Sequence, residues 1–428
     1  MNSHPREVVI TGVGPVTGIG VGREAFWSSL IGGRSNAQLR SLAVDAGKSA
    51  ELPVVSMPPV DSVPGLSKHM AASAEQGCEG YRDLGYALLG IELALADAGL
   101  TYDRDQNTIG VIQAFEAPGV EPTVCRLFGL FGGPPPTDGP PPVYELLAPF
   151  FYNMQAFLYV HHVGKAFGFR GFSTSVHNAC SSGVFAIEVA AQRIRSGQAD
   201  MMIVVGGEAF DTGVRLEWFR RLDLYARDAG GMRPFDSTST GFYVGEGAGA
   251  LVLESTAHAE KRGAKSYATY AGGAFAHQGW KQTIPDVRAG RLRGVIDEAL
   301  RTTGVRAEEI DLIVPHGAST ALSDGYEAAC LKEALGSRGV REGTHSPVAT
   351  VFKPNVGHML AACGVVETIA SLLAMKHQAV PGTLNSDGQS AFFPVPLVTS
   401  RTDRKVHTVL KLSTGFTGHD AALVFRRS

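Results

Sequence analysis

Short apolar runs alternate along the chain with longer stretches in which apolar residues return at helical spacing. The runs are 7–14, 108–115, 201–207, 250–255, 312–317, 348–352, 408–413 and 422–427. Most are near-continuous rather than alternating, the pattern of strands covered on both faces. Helical spacing marks 87–100 and 291–304 between them. This order predicts an α/β fold with helices flanking sheets. The stretch 131–142, FGGPPPTDGPPP, holds six prolines and is read as an irregular surface excursion. No charged block marks a linker, so the chain is read as one compact unit.

An internal echo is visible. ACSSGVFAIEVAAQRI (179–194) opens a helix on small residues, and GHMLAACGVVETIASLLAMK (357–376) does the same, with Val365, Ile369, Leu372 and Leu373 on the helix. Two halves built on one plan would explain it. The expected halves are 1–255, carrying Cys180, and 256–428, carrying His316, Lys353 and His358.

Composition narrows the function classes. The 428 residues are 44% hydrophobic, enough for a sizeable core, and the net charge of −3 gives no overall pull towards nucleic acid or a membrane surface. No run of about 18 apolar residues suggests a membrane span, and MNSHPREVVITGVG lacks the apolar segment of a secretory leader. Five cysteines without CxxC spacing point away from a zinc knuckle or redox dithiol, and fit reduced thiols in a cytosol. GVGPVTGIG fails as a dinucleotide fingerprint, because Thr17 stands at the third glycine and Pro15 intrudes.

Candidate chemistry centres on Cys180. Ala179, Ser181, Ser182 and Gly183 place it at a helix N-terminus, where unpaired N–H groups and the macrodipole favour an anion. Such a site can lower a thiol's pKa and hold a developing oxyanion; a buried, unreactive thiol is the plainer alternative. His316 ends an apolar strand, and Lys353 and His358 sit five residues apart with His358 at a helix start. Both histidines adjoin a glycine. A cysteine with two such histidines could form an activated nucleophile, or the imidazoles could polarise a carbonyl. His161 and His162, adjacent in sequence, are expected to point apart on a helix and to be structural.

NACSSG, HGAST…D..E and KPNVGH, in this order and at these distances, resemble the β-ketoacyl-acyl-carrier-protein synthases of the thiolase fold. The opening strand and helix, the glycine-rich RPFDSTSTGFYVGEGAGALVLES and the closing LSTGFTGHDAALVFRR extend the likeness over nearly the whole chain. The resemblance implies two pseudo-repeated halves in a five-layer α-β-α-β-α arrangement. It implies that Cys180 accepts the acyl group, and that His316 and His358 assist decarboxylation of a malonyl thioester. Lys353 would orient the site, paired with Glu327, while Asp324 supports the loop. Phe416, after Gly415, would gate the site and share the oxyanion hole with Cys180. Thr320 would bond the phosphopantetheine arm. No metal or redox cofactor is implied. The implied partners are an acyl carrier protein and a second subunit, making a homodimer or a heterodimer with a chain-length-factor-like chain. Arg220 and Arg221 are candidates for carrier docking, and the acyl pocket is expected from the region 115–169.

The chain also departs from the family pattern. Ala318 replaces a hydroxyl after the first histidine, Thr417 interrupts the Gly-Phe-Gly-Gly loop, and Ser239-Thr240 replaces Arg-Asp. These changes suit the catalytic ketosynthase of a type II polyketide or specialised fatty-acid pathway. A thiolase acting on coenzyme A esters would carry a second reactive cysteine near the C-terminus, and none follows Cys363. An acyltransferase, or a non-condensing partner subunit of the same fold, is the remaining alternative.

Overall fold

The computed structural model describes residues 6–100, 108–131, 152, 154–336, 346–388 and 392–428. Most of the proline-rich stretch lies outside these residues.

Ten strands follow one hydrogen-bonded path. The first five are β1 (Val8–Thr17), β2 (Gly110–Ala114), β3 (Thr174–Val176), β4 (Met201–Glu208) and β5 (Gly247–Ser255). The second five are β6 (Ala268–His277), β7 (Leu312–Val314), β8 (Val348–Ala349), β9 (Thr408–Gly415) and β10 (His419–Arg426). The sheet order is β8-β7-β9-β10-β6-β1-β5-β4-β2-β3. Read outward from the β1–β6 junction, each half has the same order. In each, the second strand in chain order, β2 or β7, is parallel to its two neighbours and the remaining pairs are antiparallel. Even the register irregularity repeats, between Ile10 and Gly12 in β1 and between Tyr270 and Gly272 in β6.

The apolar runs explain the layering, because strands without a polar face must be covered twice. One face of the first half packs under α1 (Leu66–Ala74), α2 (Arg82–Asp97) and α3 (Ala156–Phe167). The outer face of the second half packs under α6 (Arg291–Thr303) and α7 (Ala321–Leu335). Between the two half-sheets run α4 (Ser182–Arg195) and α8 (Cys363–His377), in a core that joins Ile112, Val204 and Leu251 to Val409, Leu423 and Phe425. This is the five-layer α-β-α-β-α arrangement. The apolar helix of residues 360–377 is long enough to cross a membrane, but 89% of it is buried in this middle layer.

The two central helices touch at their first turns. A Cβ on Gly183 would lie 2.9 Å from the Val365 nitrogen, and one on Gly364 would lie 2.6 Å from the Val184 nitrogen. Only glycine allows this approach. It brings Cys180 and the segment 353–363 to one place.

One central strand escaped the apolar-run reading. β6, ATYAGGAFAH, is built from alanine, glycine and aromatic residues and shows no sustained aliphatic run. Residues 315–317 and 350–352, expected as strand ends, are loop.

Candidate active site

Cys180 stands in a tight turn between β3 and α4. Ala179 adopts φ 48°, in the left-handed region, which costs a non-glycine residue about 1–2 kcal/mol. The Ser182 hydroxyl pins the turn: it donates to the Ala179 carbonyl at 2.6 Å and accepts from the Asn178 N–H at 2.8 Å. Cys180 is therefore directed from the start of α4 into a cavity of about 770 Å³. His316, His358, Thr320, Phe416 and Glu116 line the same cavity.

The histidine rings lie 5.5 Å apart, centroid to centroid, at 76°. His316 is clamped through its backbone. Its N–H and that of Gly317 donate to the two oxygens of Glu327, at 2.5 and 2.8 Å, while its carbonyl accepts from Lys353 Nζ at 2.5 Å. His316 Nδ1 has no hydrogen-bond partner among the described residues. His358 is positioned by a close crossing. Gly357, at φ 75°, would carry a Cβ only 2.4 Å from the Gly245 nitrogen, and the His358 N–H donates to the Tyr243 carbonyl at 2.7 Å.

A sulfur not singled out in the sequence supports this ring. Cys363 Sγ accepts the Met359 N–H at 3.1 Å and lies 3.0 Å from His358 Nδ1. With an acceptor position filled by the backbone, the thiol hydrogen is free to point at Nδ1. With the thiol donating to Nδ1, the ring proton sits on Nε2.

Lys353 is paired with Glu367, not with Glu327 as expected. Glu367 accepts from Lys353 at 2.6 Å and meets Lys411 at 2.7 Å, and all three side chains are buried. Glu327 is already occupied by two backbone N–H groups. Burial works against the Glu367 anion, but Lys353 and Lys411 hold its carboxyl below the usual range. Burial, followed by the Lys353 charge, pushes both imidazoles well below 6.5, so they are neutral at pH 7.

The expectation of an acidic thiol fails. Burial, and after it the Glu116 carboxyl, pushes Cys180 well above 9.0. The Phe416 backbone N–H opposes this but does not outweigh it. Of the influences on the sulfur, desolvation is the largest. The Cys180 sulfur is therefore held as a thiol at neutral pH.

Asp324 braces the loop after His316, accepting from the Phe235 N–H at 2.7 Å and the Ser319 N–H at 3.0 Å. Burial raises its pKa to about 7. Ser239, one of the departures, joins the same brace: its hydroxyl donates to the Ser319 carbonyl at 2.6 Å. Ala318 lines the cavity without a hydroxyl, and Thr320 starts α7. Gly415 ends β9, and Phe416 follows it with its ring 6.2 Å from Trp218 and 6.1 Å from Phe219. Thr417 holds φ 63°, a left-handed conformation unusual for a β-branched residue.

Arg220 and Arg221 end α5 (Val214–Arg221), exposed beside the cavity mouth, and both bond Glu217. The pocket expectation for 115–169 is only narrowly met. Of its described residues Glu116 alone lines the cavity, which is built mainly from 219–242, 278–285, 316–323 and 414–418. His161 is exposed and His162 buried on α3, facing apart as expected. Their ring centroids lie 5.5 Å apart, and His162 is tied to Gln76 and Cys78 on the outer face.

This geometry is that of a thiolase-like condensing fold, with a cysteine and two neutral histidines converging at the ends of two repeated halves. The description "Beta-ketoacyl synthase, N-terminal domain" matches residues 5–259, and "Beta-ketoacyl synthase, C-terminal domain" matches 267–387. The chain belongs to the β-ketoacyl synthase family. It is 31% identical to 3-oxoacyl-acyl-carrier-protein synthase 2 of Rhizobium meliloti, covering 99% of each chain. Among solved structures it resembles the ketosynthase of the AntDE:AntF complex, described as a type II polyketide acyl-carrier protein with its ketosynthase bound to the hexaketide. That match has a TM-score of 0.82, 25% identity and coverage of 99% and 100% of the two chains. The ishigamide ketosynthase/chain length factor matches with a TM-score of 0.81, 27% identity and the same coverage.

Proposed function

We propose that this β-ketoacyl synthase joins an acyl group held on Cys180 to a malonyl unit carried by an acyl carrier protein, with loss of CO₂. The observation that carries the reading is the convergence of Cys180, His316 and His358 on one cavity.

The acyl thioester enters first. Cys180 Sγ attacks its carbonyl, the carrier thiol departs, and the thiol proton leaves with it. The backbone N–H groups of Cys180 and Phe416 face the developing oxyanion. Malonyl thioester then takes the emptied arm site beside Thr320. Neutral imidazole N–H groups of His316 and His358 polarise its thioester carbonyl without readily protonating the carbon. The C–CO₂ bond breaks and its electron pair forms the enolate. The enolate carbon attacks the acyl carbonyl, the C–S bond to Cys180 breaks, and the thiolate takes up one proton. Every step is thiol exchange or the movement of an electron pair to or from a polarised carbonyl, with no outside electron donor or acceptor, so the scheme calls for no redox cofactor, and imidazole N–H groups supply the polarisation.

Lys353 orients His316 through its carbonyl, with Glu367 as counter-charge. Asp324 and Glu327 hold the loop, and Phe416 gates the mouth. Arg220 and Arg221 offer the docking charge for the acidic carrier. We further propose that the chain is the catalytic member of a dimer, with a second copy or a chain-length-factor-like subunit, in a specialised pathway. Five free thiols suit a reducing cytosol.

Intact-protein mass after incubation with acyl carrier protein thioesters tests the reading. The wild type should gain the acyl mass, Cys180→Ala should not, and malonyl carrier protein should then release a β-ketoacyl product. No gain with any donor, alone or beside a chain-length subunit, overturns it.

A further inference from the structure

Glu116, two residues past β2, lines the cavity that Cys180 faces. Its Oε2 is shielded from solvent and has no hydrogen-bond partner among the described residues. The nearby cation is committed to others: Arg215 donates to Glu121 at 2.9 Å and to the Ala209 carbonyl at 3.0 Å, and approaches Glu208 at 3.4 Å. Glu208 also accepts the Glu116 backbone N–H at 3.2 Å, and Asp83 is bonded by Tyr159 at 2.9 Å. Carboxyls therefore outnumber Arg215 around this wall. Burial raises the pKa of Glu116, with Arg215 opposing, and Glu116 in turn acts on the Cys180 sulfur.

A buried carboxyl oxygen left without a partner is costly. A saturated acyl chain seated on Cys180 would leave that cost in place. A hydrogen-bond donor on the chain would remove it. Ionised, the carboxyl only accepts; protonated, it keeps an accepting oxygen beside its O–H, so a hydroxyl or ammonium on the chain satisfies it in either state. The surplus of acidic groups favours the same polarity. Nearness to Cys180 places the donor close to the thioester.

We propose that Glu116 is a specificity-determining residue that selects acyl groups bearing a hydrogen-bond donor, a hydroxyl or a protonated amine, close to the thioester. This rests on Cys180 being the acyl acceptor.

The test compares acylation rates of Cys180 by carrier-bound butyryl, 3-hydroxybutyryl and 3-aminobutyryl groups, read by intact mass. The wild type should take one or both donor-bearing groups at least about tenfold faster than butyryl. Which of the two is faster separates hydroxyl from ammonium. Glu116→Leu should erase or reverse the ratio. Glu116→Gln, nearly isosteric and still an acceptor, should keep a hydroxyl preference and weaken an amine preference, which guards against a folding defect in the leucine variant. Equal rates for all three groups in the wild type, or an unchanged ratio in both variants, overturns the proposal while Cys180 still acylates. No acylation by any of the three, nor by longer saturated donors, overturns the condensing reading itself.

Discussion

The two central helices start from similar sequence and meet at Gly183 and Gly364, yet the cysteines at their starts stand in different surroundings. Cys180 precedes α4 and opens on the cavity, where the Phe416 N–H reaches its sulfur. Cys363 opens α8 and is enclosed, accepting a backbone N–H and lying against an imidazole. Burial raises both pKa values, Cys180 well above 9.0 and Cys363 to about 12. A helix N-terminus does not by itself distinguish them. Access to the cavity suits one to the nucleophile's role proposed for it, and packing sets the other against His358.

The comparison breaks most clearly by removing each sulfur in turn. Cys180→Ala should lower condensation to background, at least about a thousandfold, with the fold kept by circular dichroism. Next in size is Glu367→Gln, which leaves Lys353 and Lys411 buried without their shared anion. Breaking a buried pair this way costs about 3–5 kcal/mol, to be read as a lowered denaturation midpoint. Removing Lys411 as well, as Glu367→Gln/Lys411→Met, should recover much of that loss.

Cys363→Ala should cost less than either, about tenfold in malonyl decarboxylation, through loss of the Nε2–H tautomer of His358. Cys363→Ser, which keeps a donor and an acceptor, should restore most of the rate. The ¹⁵N shifts of His358 report the tautomer directly, and an unchanged pattern in Cys363→Ala would sink the supporting role.

A pH profile sharpens the contrast further. Both imidazoles are held well below 6.5, so they stay neutral as pH falls through 6.5, and decarboxylation should persist there. Its acid limb should appear only at lower pH. Alkylation of Cys180 by iodoacetamide should climb past pH 9 with no plateau near 7, because the resting group is a thiol. The smallest effect is expected at the gate. Thr417→Gly removes a left-handed β-branched residue at φ 63° and should change stability by less than about 1 kcal/mol, while speeding acylation by loosening the Phe416 loop.

Much of this was legible from one chain. Near-continuous apolar runs announced strands covered on both faces. The small-residue openings of 179–194 and 357–376 announced a repeat, because only such residues let two helices start in contact. Motif order brought Cys180, His316, Lys353 and His358 together before any coordinates did. β6 stayed hidden because its alanines and glycines are chosen for close packing rather than for β propensity, and that choice is visible only beside its neighbours.

What the chain order could not decide was pairing and charge state. Glu327 and Glu367 are both carboxylates at plausible distance in sequence from Lys353. Which one bonds it depends on which backbone N–H groups already occupy the other. Cys363 and Lys411 read as ordinary core and strand residues until the fold sets one against His358 and the other against Glu367. The Cys180 thiol looked activated because a helix terminus is a local feature that sequence reveals. Desolvation, which raises the thiol's pKa, is the sum of everything packed around the sulfur, and only the tertiary structure assembles that sum.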